Sequence, residues 1–386
     1  MNAPRRRIAI FSAYYPPHLG GVEIFTLHMG DTLSEMGHDV TIVTSSLGQS
    51  TKREREKAAR ASIIEIPSRS IMNDRFPLII PGNSLRKAIA EINQYAPTDV
   101  VINTRYYPLS LLGCIIAKKL GSRVLIIDHS SGYLSEEKSA MGLAMRLYER
   151  ISTSIISSYR PKFASVSKKG AQWTASLGLE TIGTVPNSID ANKYMALSSG
   201  RAWREELNIS ESSFVVTFAS RLIPEKGILK LLKAAGLLWN RGCDFTLIVA
   251  GDGPLRDDLV NNKSPWMKYV GRLDQADLSA LLKESDCFCL PTEYPEGLPT
   301  ILLEAAVQNN AIVVSDCAGA REVIPNKNYG IVLEEVSAQS IADAIMALLR
   351  NQEFTSCLAN NASEHVKEEF SWRQSASRLI KLLDQQ

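Results

Sequence analysis

Phe214-Val-Val-Thr-Phe-Ala-Ser220-Arg221-Leu-Ile-Pro-Glu-Lys226-Gly227 is the stretch on which the fold turns. Phe214 to Ala219 is an apolar run of strand length. The residues after Gly227 recur with helical spacing, placing Ile228, Leu231, Leu232, Ala235 and Leu238 on one face. Arg221 and Lys226 therefore sit on a strand-to-helix loop, where open α/β sheets hold their ligands. Arginine offers a flat fork of donors and lysine a compact charge, and both suit a diphosphate. Either cation alone reads equally well as ordinary surface charge.

The same alternation runs along the chain. Strand-like runs cover Arg7 to Ser12, Val40 to Thr44, Val100 to Asn103, Val124 to Asp128, Phe245 to Ala250 and Ile312 to Ser315, with helix patterns between them. Such alternation argues for parallel sheets flanked by helices. It runs twice, once before about residue 190 and once after residue 213. With 386 residues and 45 % apolar side chains, the chain is long enough for two or three domains with real cores. The expected fold class is α/β, with two Rossmann-like domains whose parallel sheets face an interdomain cleft.

A second element lies about 70 residues downstream. In Glu296-Gly-Leu-Pro-Thr-Ile-Leu-Leu-Glu304, two carboxylates flank a Gly-Pro turn and the start of an apolar helix. Proline suits a helix start, so a helix is expected to open after Pro299. The N–H groups of Thr300 and Ile301 would then face an anion, aided by the helix dipole. At ~1.5 Å rise per residue the carboxylates stand on the order of 10 Å apart. That spacing suits gripping hydroxyls on either side of a diphosphate. A retaining glycosidase pair needs roughly 5 Å. On its own the motif also reads as two glutamates on a solvated helix.

Together the two elements resemble the GT4-type retaining glycosyltransferases of the GT-B fold (glycosyltransferase group 1). The resemblance covers nearly the whole chain. Gly20-Gly21-Val22-Glu23 looks like the family's first glycine loop, and Asp128-His129 stands where the family keeps its active-site histidine. Val166-Ser167, Pro186 to Asp190, Gly251-Asp252-Gly253-Pro254, Val270-Gly271, Asp286 to Pro291, Gly319-Ala320-Arg321-Glu322 and Phe370-Ser371-Trp372 also match. Ser188 departs from a usual glycine, and Ala318-Gly319-Ala320 from frequent paired glycines.

The resemblance implies an N-terminal acceptor-side domain over residues 1–193 and a C-terminal nucleotide-sugar domain over 194–370. The final segment, 371–386, would form a helix packing back on the first domain. It implies a hexosyltransferase-type enzyme that uses a nucleoside diphosphate sugar, UDP by family habit, as co-substrate. The acceptor would be a glycan or a lipid-linked molecule in surface polysaccharide or glycolipid synthesis. Arg221 and Lys226 would stabilise the leaving diphosphate, and Thr300 and Ile301 would add backbone donors. Glu304 would accept from both ribose hydroxyls. Glu296 would hold the transferred sugar, with Gly297 shaping its pocket. Gly20 and Gly21 would let the first loop approach the diphosphate, Gly21 having no side chain to obstruct it. The base would stack near Val270 to Arg272. His129 would line the active site in a polar positioning role, the acceptor proton going to a phosphate oxygen of the leaving group.

Other classes fit less well. No Asp-x-Asp triplet occurs, and neither a metal nor a bound cofactor is expected. The six cysteines form no CxxC pair or Cys/His cluster, which suits a reduced, cytoplasmic setting. Cys287 and Cys289 read as small core residues. No apolar stretch reaches the ~18 residues of a membrane span. The run after Arg5-Arg6-Arg7 is too short for a signal sequence and reads as the first strand. Gly251-Asp-Gly253 follows a strand, but Arg256 replaces the third glycine of a dinucleotide fingerprint, which counts against a dehydrogenase. A GT-B nucleotide-sugar epimerase would not be expected to pair both motifs. A catalytically silent partner subunit has no reason to keep Arg221, Lys226, Glu296 and Glu304.

Residues 1–193 hold 24 Lys and Arg against 16 Asp and Glu, so the acidic excess lies in the remainder. A basic half suggests an anionic partner, and an anionic membrane surface at the cytoplasmic face is one candidate. Nucleic acid is a poor fit, since no reading motif accompanies the charge. Arg146, Arg150, Arg160 and Lys162 lie among Met141, Leu143, Met145, Leu147, Ile151, Ile155 and Ile156. The plainer reading is a packed helix with its basic side in solvent, and the other is an interfacial amphipathic stretch. The cluster Lys52, Arg53, Arg55, Lys57 and Arg60 reads as a mobile loop.

Overall fold

The computed structural model describes residues 5–18, 20–47, 59–71, 76–133, 140–294, 297–317 and 319–385. The chain divides into two compact units: Met1–Asn187 with Trp372–Gln386, and Ser188–Ser371. Each is a sheet covered by helices.

The sheet of the first unit has eight strands in the order β4-β3-β2-β1-β5-β6-β7-β8. They are β1 (Arg7–Ser12), β2 (Asp39–Ser46), β3 (Ser62–Ile71), β4 (Phe76–Ile79), β5 (Asp99–Asn103), β6 (Arg123–Asp128), β7 (Lys162–Ser165) and β8 (Thr181–Thr184). All pair in parallel except β3 with β4. The exception has a simple cause: residues 72–75 are too few for a parallel crossover, which takes a dozen residues or more. Helices cover both faces, so the central strands are apolar throughout. Ile8 to Phe11, Val100 to Ile102 and Leu125 to Ile127 are buried without interruption. The closing helix, Trp372–Asp384, packs beside the Gly21–Glu35 helix, where Trp372 meets Phe25 edge-on at 5.8 Å.

The second unit has six parallel strands in the order β11-β10-β9-β12-β13-β14. They are β9 (Phe214–Ala219), β10 (Phe245–Ala250), β11 (Met267–Gly271), β12 (Cys287–Leu290), β13 (Ala311–Ser315) and β14 (Ile331–Leu333). Cys287 and Cys289 are fully buried between β9 and β13, as small core residues. The order reverses between β9 and β12. Loops leaving their C-terminal ends diverge there and open the crevice where doubly wound sheets take ligands. In the first unit the reversal falls between β1 and β5.

One helix inverts the usual pattern. Ala140–Ser157 turns Gly142, Glu149, Thr153 and Ile156 inward and Leu143, Leu147, Ile151 and Ile155 outward. Arg150 is exposed and Arg146 half-buried, so the basic side lies at the surface as the packed-helix reading has it, but the stripe of leucines and isoleucines faces outward as well, while Glu149 and Thr153 pack inward beside Gly142 and Ile156. Lys52, Arg53, Arg55 and Lys57 lie outside the described residues. Arg60 is described, exposed, and paired with Glu35 at 3.2 Å. Among the described residues no helix is long and apolar enough to cross a membrane.

Candidate active site

At the strand reversal of the second unit, the loop after β9 meets the segment after β12. Glu293 N–H donates to Glu225 O at 2.7 Å, and Thr292 Oγ1 donates to the same carbonyl at 3.3 Å. Pro224–Lys226 makes one 3-10 turn, and Gly227 follows with φ of 78°. This is left-handed backbone that glycine adopts without strain. A Cβ at Gly227 would also collide with the Pro291 carbonyl. The loop after β10 completes the floor. Gly251, at φ of 142°, lies so close to the Ser220 carbonyl that no side chain fits. Leu222 N–H donates to Asp252 O at 2.9 Å.

This packing brings Arg221 and Lys226 together. The Arg221 guanidinium lies 5.4 Å and the Lys226 ammonium 5.0 Å from the centroid of the Tyr294 ring. Arg221 is exposed, whereas Lys226 is only 5 % exposed. Burial, with the Arg221 charge adding to it and Cys317 opposing it, pulls the Lys226 ammonium down to about 8. Tyr294 escaped notice in the sequence. Its only signal there is an aromatic two residues before Glu296.

Thr300–Val307 is helical, as expected. Pro299 is the extended residue just ahead of it and not its first helical position. Thr300 and Ile301, at its first turn, are half-buried, and their N–H groups have no acceptor within the helix. The approach is braced from β13's loop, where Gly319 N–H donates to Gly297 O at 2.9 Å. A Cβ on Gly319 would stand 2.6 Å from Leu298 Cδ1, so a larger residue there would have to displace the Leu298 side chain. Glu304 follows one turn in. Desolvation pushes its carboxyl up to about 7, although the Tyr194 hydroxyl donates to Oε2 at 3.5 Å and opposes the rise. Tyr194, on a short helix far away in sequence, is another residue that sequence reasoning missed. Glu296 lies outside the described residues. Val270 and Arg272 stand at the C-terminal end of β11, where Gly251 N–H donates to Gly271 O at 2.8 Å. Thus Arg221, Lys226, Gly297, Thr300, Ile301, Val270 and Arg272 all sit at the strand ends of one sheet.

The first unit holds the other two groups at its own strand ends. Gly20 caps the Gly21–Glu35 helix after β1, and the buried Glu23 side chain reaches back over Gly20. Glu23 Oε1 lies 3.0 Å from His18 Nδ1. His129 follows β6, its ring edge-on to Phe25 at 4.8 Å. Burial drives His129 down to about 3, so the imidazole is neutral at working pH. Its tautomer follows from its neighbours. Thr26 Oγ1 donates to Val22 O at 2.7 Å and accepts from Asn103 Nδ2 at 2.7 Å. Asn103 Oδ1 is thereby turned toward His129 Nε2 at 3.1 Å and accepts its N–H, which leaves the lone pair on Nδ1.

A family model for glycosyl transferases group 1 matches residues 199–365, and one for Glycosyltransferase Family 4 matches residues 19–193. The chain belongs to the GT4-type group 1 glycosyltransferases. It is 24 % identical over 360 residues to the UDP-Gal:alpha-D-GlcNAc-diphosphoundecaprenol alpha-1,3-galactosyltransferase of Escherichia coli, covering 90 % of this chain and 89 % of that one. It is 23 % identical over 399 residues to the GDP-mannose-dependent monoacylated alpha-(1-6)-phosphatidylinositol monomannoside mannosyltransferase of Corynebacterium glutamicum, with 99 % of each covered. The structure of Anabaena Alr3699/HepE in complex with UDP matches with a TM-score of 0.74 at 16 % identity, over 98 % of this chain and 100 % of that one. That likeness establishes the GT-B fold for the glycosyltransferase.

Proposed function

We propose that this glycosyltransferase is a retaining enzyme that takes a sugar from a UDP-linked donor. It passes the sugar to a lipid-linked or glycan acceptor in surface polysaccharide or glycolipid synthesis. The observation that carries the reading is the pairing of Arg221 with buried Lys226 at the strand reversal of the second unit. Two cations crowded onto one aromatic ring are relieved by a dianionic ligand. As the bond from the anomeric carbon to the diphosphate breaks, negative charge grows on the departing oxygen, and these cations stabilise it. The open N–H groups of Thr300 and Ile301 add donors to the same diphosphate. Glu304 accepts from the ribose hydroxyls, and Glu296 holds the hydroxyls of the transferred sugar.

His129 acts in this reading as a fixed polar group. A neutral ring whose Nε2–H is held by Asn103 offers Nδ1 as an acceptor that can orient a hydroxyl. So low a basicity makes it a poor proton abstractor. The acceptor's proton goes to a phosphate oxygen of the leaving group, on the face the diphosphate vacates, which gives retention. UDP is supported by the UDP-Gal donor of the Escherichia coli relative and by UDP in the Anabaena structure, whereas the Corynebacterium relative uses GDP-mannose. Both relatives' names specify lipid-linked acceptors, which supports that class here. The cationic pair can neutralise the diphosphate without a metal ion, so EDTA is expected to leave turnover intact.

A thermal-shift panel of nucleoside diphosphates tests the donor assignment, since a ligand of the folded state raises the melting temperature by mass action. UDP should stabilise the wild type and have little effect on Arg221→Ala. Absence of a shift with every nucleotide would overturn the reading. Product anomeric configuration, read from the sugar's proton coupling constant, tests retention.

A further inference from the structure

We propose that the Ala140–Ser157 helix docks the enzyme on an anionic lipid surface through its outward apolar face. Met141, Leu143, Leu147, Ile151 and Ile155 are between 45 and 70 % exposed. Four of them recur every fourth residue, so they form one stripe along the helix. The stripe from Leu143 to Ile155 is about 18 Å long at ~1.5 Å per residue. A helix that merely covers a sheet turns such a stripe inward.

The outward orientation is locked from within. Arg105 is fully buried and ion-paired to both Asp128 on β6 and Glu149 on the helix. Thr153, one turn on, is buried beside it in the helix, and Tyr148 donates to the Tyr106 carbonyl at 2.6 Å. Rolling the leucines inward would drag Glu149 off Arg105 and leave the guanidinium with Asp128 as its carboxylate. The exposed stripe is thus the necessary counterpart of a buried ion triad.

The charges around the stripe identify its occupant. Glu149 is the sole acidic side chain of the helix, and it points inward. Arg146 and Arg150 border the stripe on one side, both over the Tyr133 ring at 5.6 and 5.8 Å. Among the described residues, the outer surface of the helix is therefore apolar with a cationic margin. That combination suits a helix lying in the headgroup layer of an anionic bilayer. A second copy of this chain would bring like charges together, because residues 1–193 are net basic. The helix is not one that could cross a bilayer. The inference supplies a surface for the lipid-linked acceptor proposed above, yet it stands on the helix and does not need that reading.

Vesicle flotation of the full chain is the test, using phosphatidylcholine with and without about a third phosphatidylglycerol. The wild type should float with the anionic vesicles. Leu147→Glu combined with Ile151→Glu should weaken partitioning more than about tenfold with an unchanged melting temperature. Arg146→Gln with Arg150→Gln should weaken it about fivefold per charge at low salt, on anionic vesicles only. Should the glutamate pair lower the melting temperature, Leu147→Ser with Ile151→Ser replaces it. A wild type that stays unbound, or apolar variants that float like it, would overturn the proposal. So would a wild-type dimer, seen by ultracentrifugation, that the Leu147→Glu and Ile151→Glu changes dissociate while no vesicles bind. UDP binding measured alongside separates the two readings. Vesicle binding without UDP binding would sink the donor assignment and leave the docking face standing.

Discussion

Lys226 and Glu304 both have their charged forms disfavoured by burial, and the donor's diphosphate and ribose would restore each charge. A hydroxyl-donating ribose favours the Glu304 carboxylate, so nucleotide affinity should rise as pH climbs toward about 7. A diphosphate favours the Lys226 ammonium, so affinity should fall above about 8 as the free protein loses that proton. Titration calorimetry with UDP across this range should give a narrow maximum, and Glu304→Gln should remove the acidic limb alone. A flat profile would show that neither group faces the nucleotide. Glu304→Ala should weaken UDP binding by ~1.5–3 kcal/mol, as ribose hydroxyls lose a charged acceptor. Arg221→Ala should reduce kcat more than Glu304→Ala does; equal losses would mean that leaving-group stabilisation is assigned to the wrong side chain. These residues were legible in the sequence because their types and spacing fit one ligand. Tyr294 and Tyr194 were not, because an isolated aromatic carries no spacing, and only folding sets them beside Lys226 and Glu304.

Among the elements, the Ala140–Ser157 helix separates periodicity from orientation. Its amphipathic pattern was plain in the sequence, but which side faces the protein was decided by Arg105, 44 residues from Glu149. Removing one member of a buried ion triad leaves uncompensated charge, so Glu149→Ala should cost ~3–5 kcal/mol in urea unfolding. A loss under about 1 kcal/mol would mean that the pair is solvated and the helix free to roll. The loop after β9 shows the opposite case. Its strand, glycine and helix were readable locally, because each is determined by near neighbours. Gly227→Ala should destabilise by ~2 kcal/mol or more, since it combines positive φ with a clash against Pro291. A change within experimental error would show that this backbone relaxes.

At the scale of the molecule, the proposed donor-binding residues from Arg221 to Glu304 all belong to Ser188–Ser371, one continuous piece of chain with its own sheet and core. Expressed alone, that piece should still bind UDP, with a Kd within about tenfold of the full chain. Loss of all binding in a folded fragment would mean that the first unit supplies essential donor contacts. The sequence by itself determined the α/β class, the double run of strands, and the loop cations with the apolar helix after Pro299. These follow from hydrophobic periodicity and glycine placement, which act over a few residues. Only the tertiary structure decided the tautomer of His129 and the outward stripe of the Ala140–Ser157 helix. It also decided that Lys226 is buried beside Arg221. Each of these depends on which distant side chain supplies a hydrogen bond, a counter-charge or a neighbouring surface, and local patterning does not encode such partners.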